Sequence, residues 1–165
     1  MYKKKKLLYL ITEDWFFCSH FLERALAAKK AGYEIIVCTK KNKDKKNIEG
    51  YGIKFQEVNF NRKNINPFYE LLVLLKIINV YRKFSPDIVH HIAFKPIIYG
   101  SIAARINNIK STINAPVGMG FVFTSDSIKA LLIRPIIKFL LKLLLSSKRA
   151  KNKKNKVIFE NNDDL

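Results

Sequence analysis

Short apolar runs alternate with helix-patterned segments along nearly the whole chain, and this alternation restricts the fold more than any other feature. Leu7–Ile11 is an unbroken apolar run, as expected of a strand buried on both faces. From Ser19 to Ala31 the apolar residues Phe21, Leu22, Ala25, Leu26 and Ala28 recur at helical spacing, with Glu23, Arg24, Lys29 and Lys30 opposite. Gly32 stops that helix. Tyr33–Thr39 reads as a second strand, Lys40–Asn47 as a lysine-rich loop and Lys54–Phe60 as a third, weaker strand. Asn66-Pro67 marks a helix start, and the helix runs to about Phe84, before Pro86. Asp87–Ile92 is a fourth strand. Pro96 opens a helix carrying Gly100, Ser101, Ala103 and Ala104, small residues that permit close approach to a sheet. Lys110–Ala115 is a fifth strand, followed by a turn over Pro116–Gly120 and a long helix over Asp126–Ser147. A charge run at Lys148–Lys156 then leads to a sixth strand at Val157–Glu160.

This pattern predicts an α/β fold: a doubly wound, Rossmann-like parallel sheet of six strands with helices on both faces. Right-handed crossovers give the strand order 3-2-1-4-5-6. The 165 residues suit one domain, residues 1–165, ending after strand six. In that order strands one and four are neighbours at the switch point, where open parallel sheets bind ligands. The segments beyond them are TEDWFFCSH at Thr12–His20 and PDIVHHIAFKPIIYGS at Pro86–Ser101, and together they hold all 3 histidines.

The net charge of +18 points to an anionic partner: nucleic acid, an anionic membrane face or a phosphorylated substrate. Heavy use of Lys, Asn and Ile with little Arg is also what a biased coding composition produces. A nucleic-acid binder favours Arg for bidentate contacts and an aromatic-basic stacking surface. Neither feature is evident, so no nucleic-acid partner is expected. Cys18 and Cys38 form no metal-ligand spacing and no disulfide framework, which suits a reducing cytoplasm. The apolar run after Lys3–Lys6 is too short for a signal-peptide core. No GxGxxG follows strand one and no P-loop is present; Gly118 and Gly120 form a GxG only after strand five. No cofactor and no metal are expected.

Glu13, Asp14 and His20 fit a polar cleft for a sugar hydroxyl, or else a capped helix start with a surface histidine. Trp15, Phe16 and Phe17 fit a stacking platform for a sugar or lipid, or a loop packed on the core. His90 and His91 point to opposite faces of their strand, because the side-chain period is two. One can face the crevice as a neutral proton acceptor, while a buried, hydrogen-bonded ring suits the other. Lys95 stands just before a helix start, where an anion is attracted by the helix dipole. In the Asp126–Ser147 segment Arg134, Lys138 and Lys142 form one narrow cationic stripe on an otherwise apolar helix. That pattern fits a helix lying in a membrane interface, or a core helix with one wet edge.

Four stretches in order, TEDWFFCSH, PDIVHHIAFKPIIYGSIAAR, NAPVGMGFVFTSDS and VIFENNDD, resemble the amino-terminal domain of family 4 glycosyltransferases. That family has the two-domain GT-B architecture, and the resemblance is nearest to bacterial enzymes of capsule, O-antigen or lipid-linked oligosaccharide synthesis. It implies an amino-terminal domain that binds the acceptor, and a second domain that binds the nucleotide sugar through basic residues and paired glutamates. It also implies transfer with retention of configuration. Many relatives have His-x-His at the end of strand four, where this chain has His90, His91 and Ile92. The resemblance implies catalytic roles for His90 and His20, and acceptor contacts from Glu13, Asp14, Trp15, His91, Lys95, Gly118 and Gly120. The donor-binding residues have no counterpart in these residues, so the resemblance implies the acceptor half of a truncated or split enzyme with a companion donor-domain chain as partner. The other expected partners are a lipid-linked glycan acceptor and an anionic membrane surface on the cytoplasmic side. The alternatives are a non-catalytic remnant or accessory subunit and a basic nucleic-acid-binding α/β protein.

Overall fold

In the computed structural model, which describes residues 4–61, 66–117, 154–158, Pro135, Phe139 and Lys142, the first strand is β1 (Lys6–Glu13). All but its two terminal residues are buried, because it lies at the centre of the sheet with helices over both faces. It is followed by α1 (Asp14–His20), α2 (Leu22–Lys30) and β2 (Glu34–Lys40). Then come α3 (Lys45–Gly50), β3 (Lys54–Glu57), α4 (Pro67–Phe84), β4 (Ile88–Ile92), α5 (Phe94–Ile106), β5 (Ser111–Ala115) and β6 (Lys154–Val157). Among the described residues six strands form one sheet, all parallel, in the order β3-β2-β1-β4-β5-β6. The doubly wound α/β class and the strand order are those the sequence predicts.

Strand alternation divides the interior into two layers. Leu8, Leu10, Ile36, Cys38 and Val89 face α4 and α5, packing on Val73, Ile77, Tyr81, Ala103 and Ala104. Leu7, Tyr9, Ile11, Ile35 and Val37 face the other way, onto Phe17, Phe21, Ala25 and Ile48 of the first three helices and their connections.

Several elements differ from the sequence reading. The first helical segment is two helices, α1 beginning at Asp14 and α2 at Leu22, with Phe21 (φ −120°) between them. The lysine-rich stretch after β2 contributes a short helix, α3, because Ile48 plugs into the core and gives that turn one buried anchor. β3 stops at Glu57, short of the expected Phe60. α5 starts two residues before Pro96, which occupies the first turn, where its missing N–H costs nothing. β6 lies at Lys154–Val157 and ends before Ile158, earlier than the expected Val157–Glu160, whose last two residues lie outside the described residues. It is an edge strand of alternating exposure, so lysines can occupy its outward positions. Other boundaries follow from local chemistry: Gly32 (φ 94°) closes α2, and the Asn66 side-chain oxygen caps α4 by accepting from the Phe68 N–H at 3.0 Å. The expected helix over Asp126–Ser147 lies outside the described residues except for Pro135, Phe139 and Lys142, which are helical and exposed.

Candidate functional site

The carboxyl ends of β1 and β4 lie side by side, with Tyr9 opposite His90 and Leu10 opposite His91. The register of β1 against β2 shifts between Leu10 and Glu13. Beyond that irregularity Asp14 is fully buried, and its carboxylate organises the edge. It accepts from the Trp15 N–H at 2.8 Å, the Asn42 N–H at 2.8 Å, the Asn42 side-chain amide at 3.1 Å and the Asp44 N–H at 3.1 Å. The same Asn42 amide donates to Glu13 at 2.9 Å. Asp14 therefore fastens the β2–α3 loop to β1, while Glu13 remains half-buried at the rim. Sequence reasoning missed Asn42; the signal was its place beside Asp44 in a lysine-rich turn, since Asn and Asp bind local backbone in turns.

The side of the sheet under α1 and α2 carries an aromatic cluster with a histidine at each end. His90, only 6% exposed, lies 5.3 Å from the Tyr9 ring and 5.6 Å edge-on from Phe21. Phe21 continues to Phe16 at 6.1 Å, and Phe16 meets exposed His20 at 4.3 Å with the rings tilted by 36°. Arg24 covers the Phe21 ring at 5.3 Å. Burial, then His91 and Arg24, pushes His90 down to about 4, so its imidazole is neutral at physiological pH. Its Nε2 is buried without a hydrogen-bond partner, although such groups are nearly always paired. His20 Nδ1 stands 2.7 Å from Ser19 Oγ, which itself donates back to the Trp15 carbonyl at 3.0 Å. Trp15 is 47% exposed beside them, in edge contact with Phe16.

His91 faces the α4 and α5 side and is fully buried. Tyr81 donates its hydroxyl to His91 Nε2 at 2.9 Å, and His91 Nδ1 donates to Asn114 at 2.8 Å. Asn114 in turn donates to Asn155 of β6 at 2.8 Å. Burial holds His91 down to about 4, against the opposing pull of the Asn114 hydrogen bond. Gly100 permits this arrangement: a Cβ there would stand 2.4 Å from the ring. Lys95, at the start of α5, forms a 2.5 Å ion pair with Glu70 of α4 and donates to the Asn61 carbonyl at 2.7 Å. Tyr99 donates to the second Glu70 oxygen at 2.6 Å. The Glu70 and Tyr99 partners, like Tyr81, carry no sequence motif and emerge only from the packing of α4 on α5.

The structure thus gathers Glu13, Asp14, Trp15, His20 and His90 on the α1 side of one sheet edge, and places His91 and Lys95 across the sheet. Gly118, Gly120, Arg134 and Lys138 lie outside the described residues. Ala93, between β4 and α5, has φ 76° and ψ 167°, a conformation that costs a non-glycine residue on the order of 1–3 kcal/mol. A cavity of about 310 Å³ opens at the opposite end of the strands, lined by Ser85, Asp87, Asn108 and Lys110 among others. Among the described residues no group of His, Cys, Asp and Glu is arranged to hold a metal ion. Among them also, no helix is long and apolar enough to cross a membrane.

A family model described as glycosyl transferase 4-like matches residues 6–158. No curated protein matches the sequence. Among solved structures, a glycosyltransferase from Rickettsia africae ESF-5 is similar at 21% identity over 96% of this chain and 43% of its own, with a TM-score of 0.57. MurG from Acinetobacter baumannii is similar at 14% identity over 69% of this chain and 35% of its own, TM-score 0.53. A putative UDP-N-acetylglucosamine 2-epimerase from Listeria monocytogenes is similar at 14% identity over 87% of this chain and 38% of its own, TM-score 0.56. The chain therefore spans less than half the length of each of these proteins.

Proposed function

The chain belongs to the glycosyl transferase 4-like family, and from that premise we propose that it is the acceptor-binding half of a retaining, sugar-nucleotide-dependent glycosyltransferase. The family match over residues 6–158 carries this reading. The acceptor is a lipid-linked or envelope glycan held at a membrane, which the charge of +18 favours. Glu13, Trp15 and His20 at the rim contact the acceptor. Neutral His90 is a proton acceptor or donor for its hydroxyl once ligand binding uncovers Nε2. Because the reaction retains configuration, the histidine orients the hydroxyl or shares its proton rather than acting as a lone base. Gly118 and Gly120 complete the acceptor side. The cationic stripe of Arg134, Lys138 and Lys142 contacts anionic lipid on the cytoplasmic face.

Stabilising the leaving diphosphate is the largest catalytic demand, and in this family it falls to a second domain. The 165 residues alone are therefore expected to give no transfer from a panel of nucleotide sugars to membrane lipids. Addition of a donor-domain chain is expected to restore it. In the restored system His90→Gln should lower kcat at least tenfold with the fold intact. Robust turnover by the isolated chain would refute the incomplete-enzyme reading, and full activity of His90→Gln would refute the role of His90.

A further inference from the structure

Helix α4 is apolar on its outer side as well as its inner one over its first half. Val73, Ile77, Val80 and Tyr81 point into the core. On the opposite face Phe68 is 79% exposed, Leu71 52%, Leu72 65% and Leu75 47%. Their spacing of i, i+3, i+4, i+7 joins them into one stripe. A surface helix ordinarily turns polar residues outward, and contiguous apolar patches on a soluble surface mark an interaction site. Towards the end of the helix the exposed positions become Lys76, Asn79, Arg82 and Lys83. The only carboxylate of α4, Glu70, is turned away from this face into its ion pair with Lys95. The outer face is therefore an apolar patch continued by cations, with no acidic side chain on it.

We propose that Phe68, Leu71, Leu72 and Leu75 form the surface on which this domain rests in an anionic lipid bilayer, with Lys76, Arg82 and Lys83 over the lipid phosphates. Charge decides the occupant. A chain of net charge +18 repels its own copy, whereas the same charge draws it to an anionic bilayer. Apolar side chains entering the acyl boundary beside interfacial cations are the physical basis of interfacial helix binding. Because α4 follows β3, its first turns stand at the sheet's carboxyl edge, and the Glu70–Lys95–Tyr99 contacts fix them against α5. The patch therefore holds that edge at a set attitude to the bilayer. It belongs to a different segment of the sequence from Arg134, Lys138 and Lys142, and its test reads binding without turnover.

The 165-residue chain is mixed with vesicles of phosphatidylglycerol and phosphatidylcholine, and with vesicles of phosphatidylcholine alone. Flotation is expected with the first, weakening as salt rises. The exposed double substitution Phe68→Ser, Leu72→Ser should keep the thermal midpoint and weaken binding on the order of tenfold or more. A second variant places the chain's single tryptophan at position 68 through Trp15→Phe with Phe68→Trp. Its emission should shift to the blue on anionic vesicles and be quenched by brominated lipid. Arg134→Glu, Lys138→Glu, Lys142→Glu should weaken flotation, while the protein that still binds should keep a quenched tryptophan at position 68. Undiminished binding by the double serine variant overturns the proposal, as does an unquenched tryptophan at position 68 on protein that floats. So does absence of flotation, or a dimer in solution that Phe68→Ser, Leu72→Ser dissociates.

Discussion

The imidazoles of His90 and His91 are neutral at pH 7 because burial pushes both down to about 4. An unfolded chain protonates each near the ordinary value of about 6.5. Between those values the unfolded state holds more protons, so stability rises with pH through the window and is lost on acidification. Above about 6.5 the contribution is complete, on the order of 3 kcal/mol per histidine. The thermal midpoint should therefore fall as pH drops from 7 towards 4.5. His90→Phe, which suits the Tyr9–Phe21 surroundings, should make that fall shallower, and NMR should find both buried rings untitrated until about pH 4. At the rim, Asp14→Ala strips three backbone N–H groups of their acceptor. It should cost about 3 kcal/mol in urea unfolding, with Asp14→Asn costing less because one oxygen remains. The opposite facing of the two histidines was legible from strand periodicity alone. Which of them is sealed was not, because that depends on Tyr81, Gly100 and Asn114, which arrive from three other elements.

At the level of elements, α5 comes close to the sheet because Gly100 lies against the His91 ring. Gly100→Ala should cost about 1–3 kcal/mol by overpacking, read as a lowered thermal midpoint. Combined with His91→Ser the two penalties should fall short of additive, since the smaller side chain removes the clash. The small residues of this helix announced close packing in the sequence, though not its partner. Asn66-Pro67 was equally legible, because a cap and a first-turn proline act within one turn of chain. β6 was misplaced because an edge strand needs only one inward face, and Lys154, Asn155, Lys156 and Val157 meet that need without an apolar run. α3 was read as loop for a related reason: its one buried residue, Ile48, leaves no periodic pattern.

For the whole molecule, the alternation of strands and helices sufficed to give the sheet order, since crossover handedness leaves few alternatives. It also placed the ends of β1 and β4 together, but not the loop from β2 that Asp14 draws across them. The hydrogen-bonded chain from Tyr81 through His91 and Asn114 reaches Asn155, which stands 41 residues after Asn114 and also accepts from Thr112. This gives the fold a temporal order. A growing polypeptide can assemble β1 to β5 early, yet the outer side of β5, with the Asn114 side-chain amide, has no strand to meet until position 155 has been synthesised. Until then β5 is a bare edge, open to pairing with another nascent chain. Parallel pairing at long sequence separation is also slow to form. A chain stopped after residue 153 should therefore exchange the β5 amides faster and aggregate more readily on refolding, as hydrogen exchange and light scattering would measure. β6, made mostly of lysine and asparagine, then acts as a latch on a core built without it.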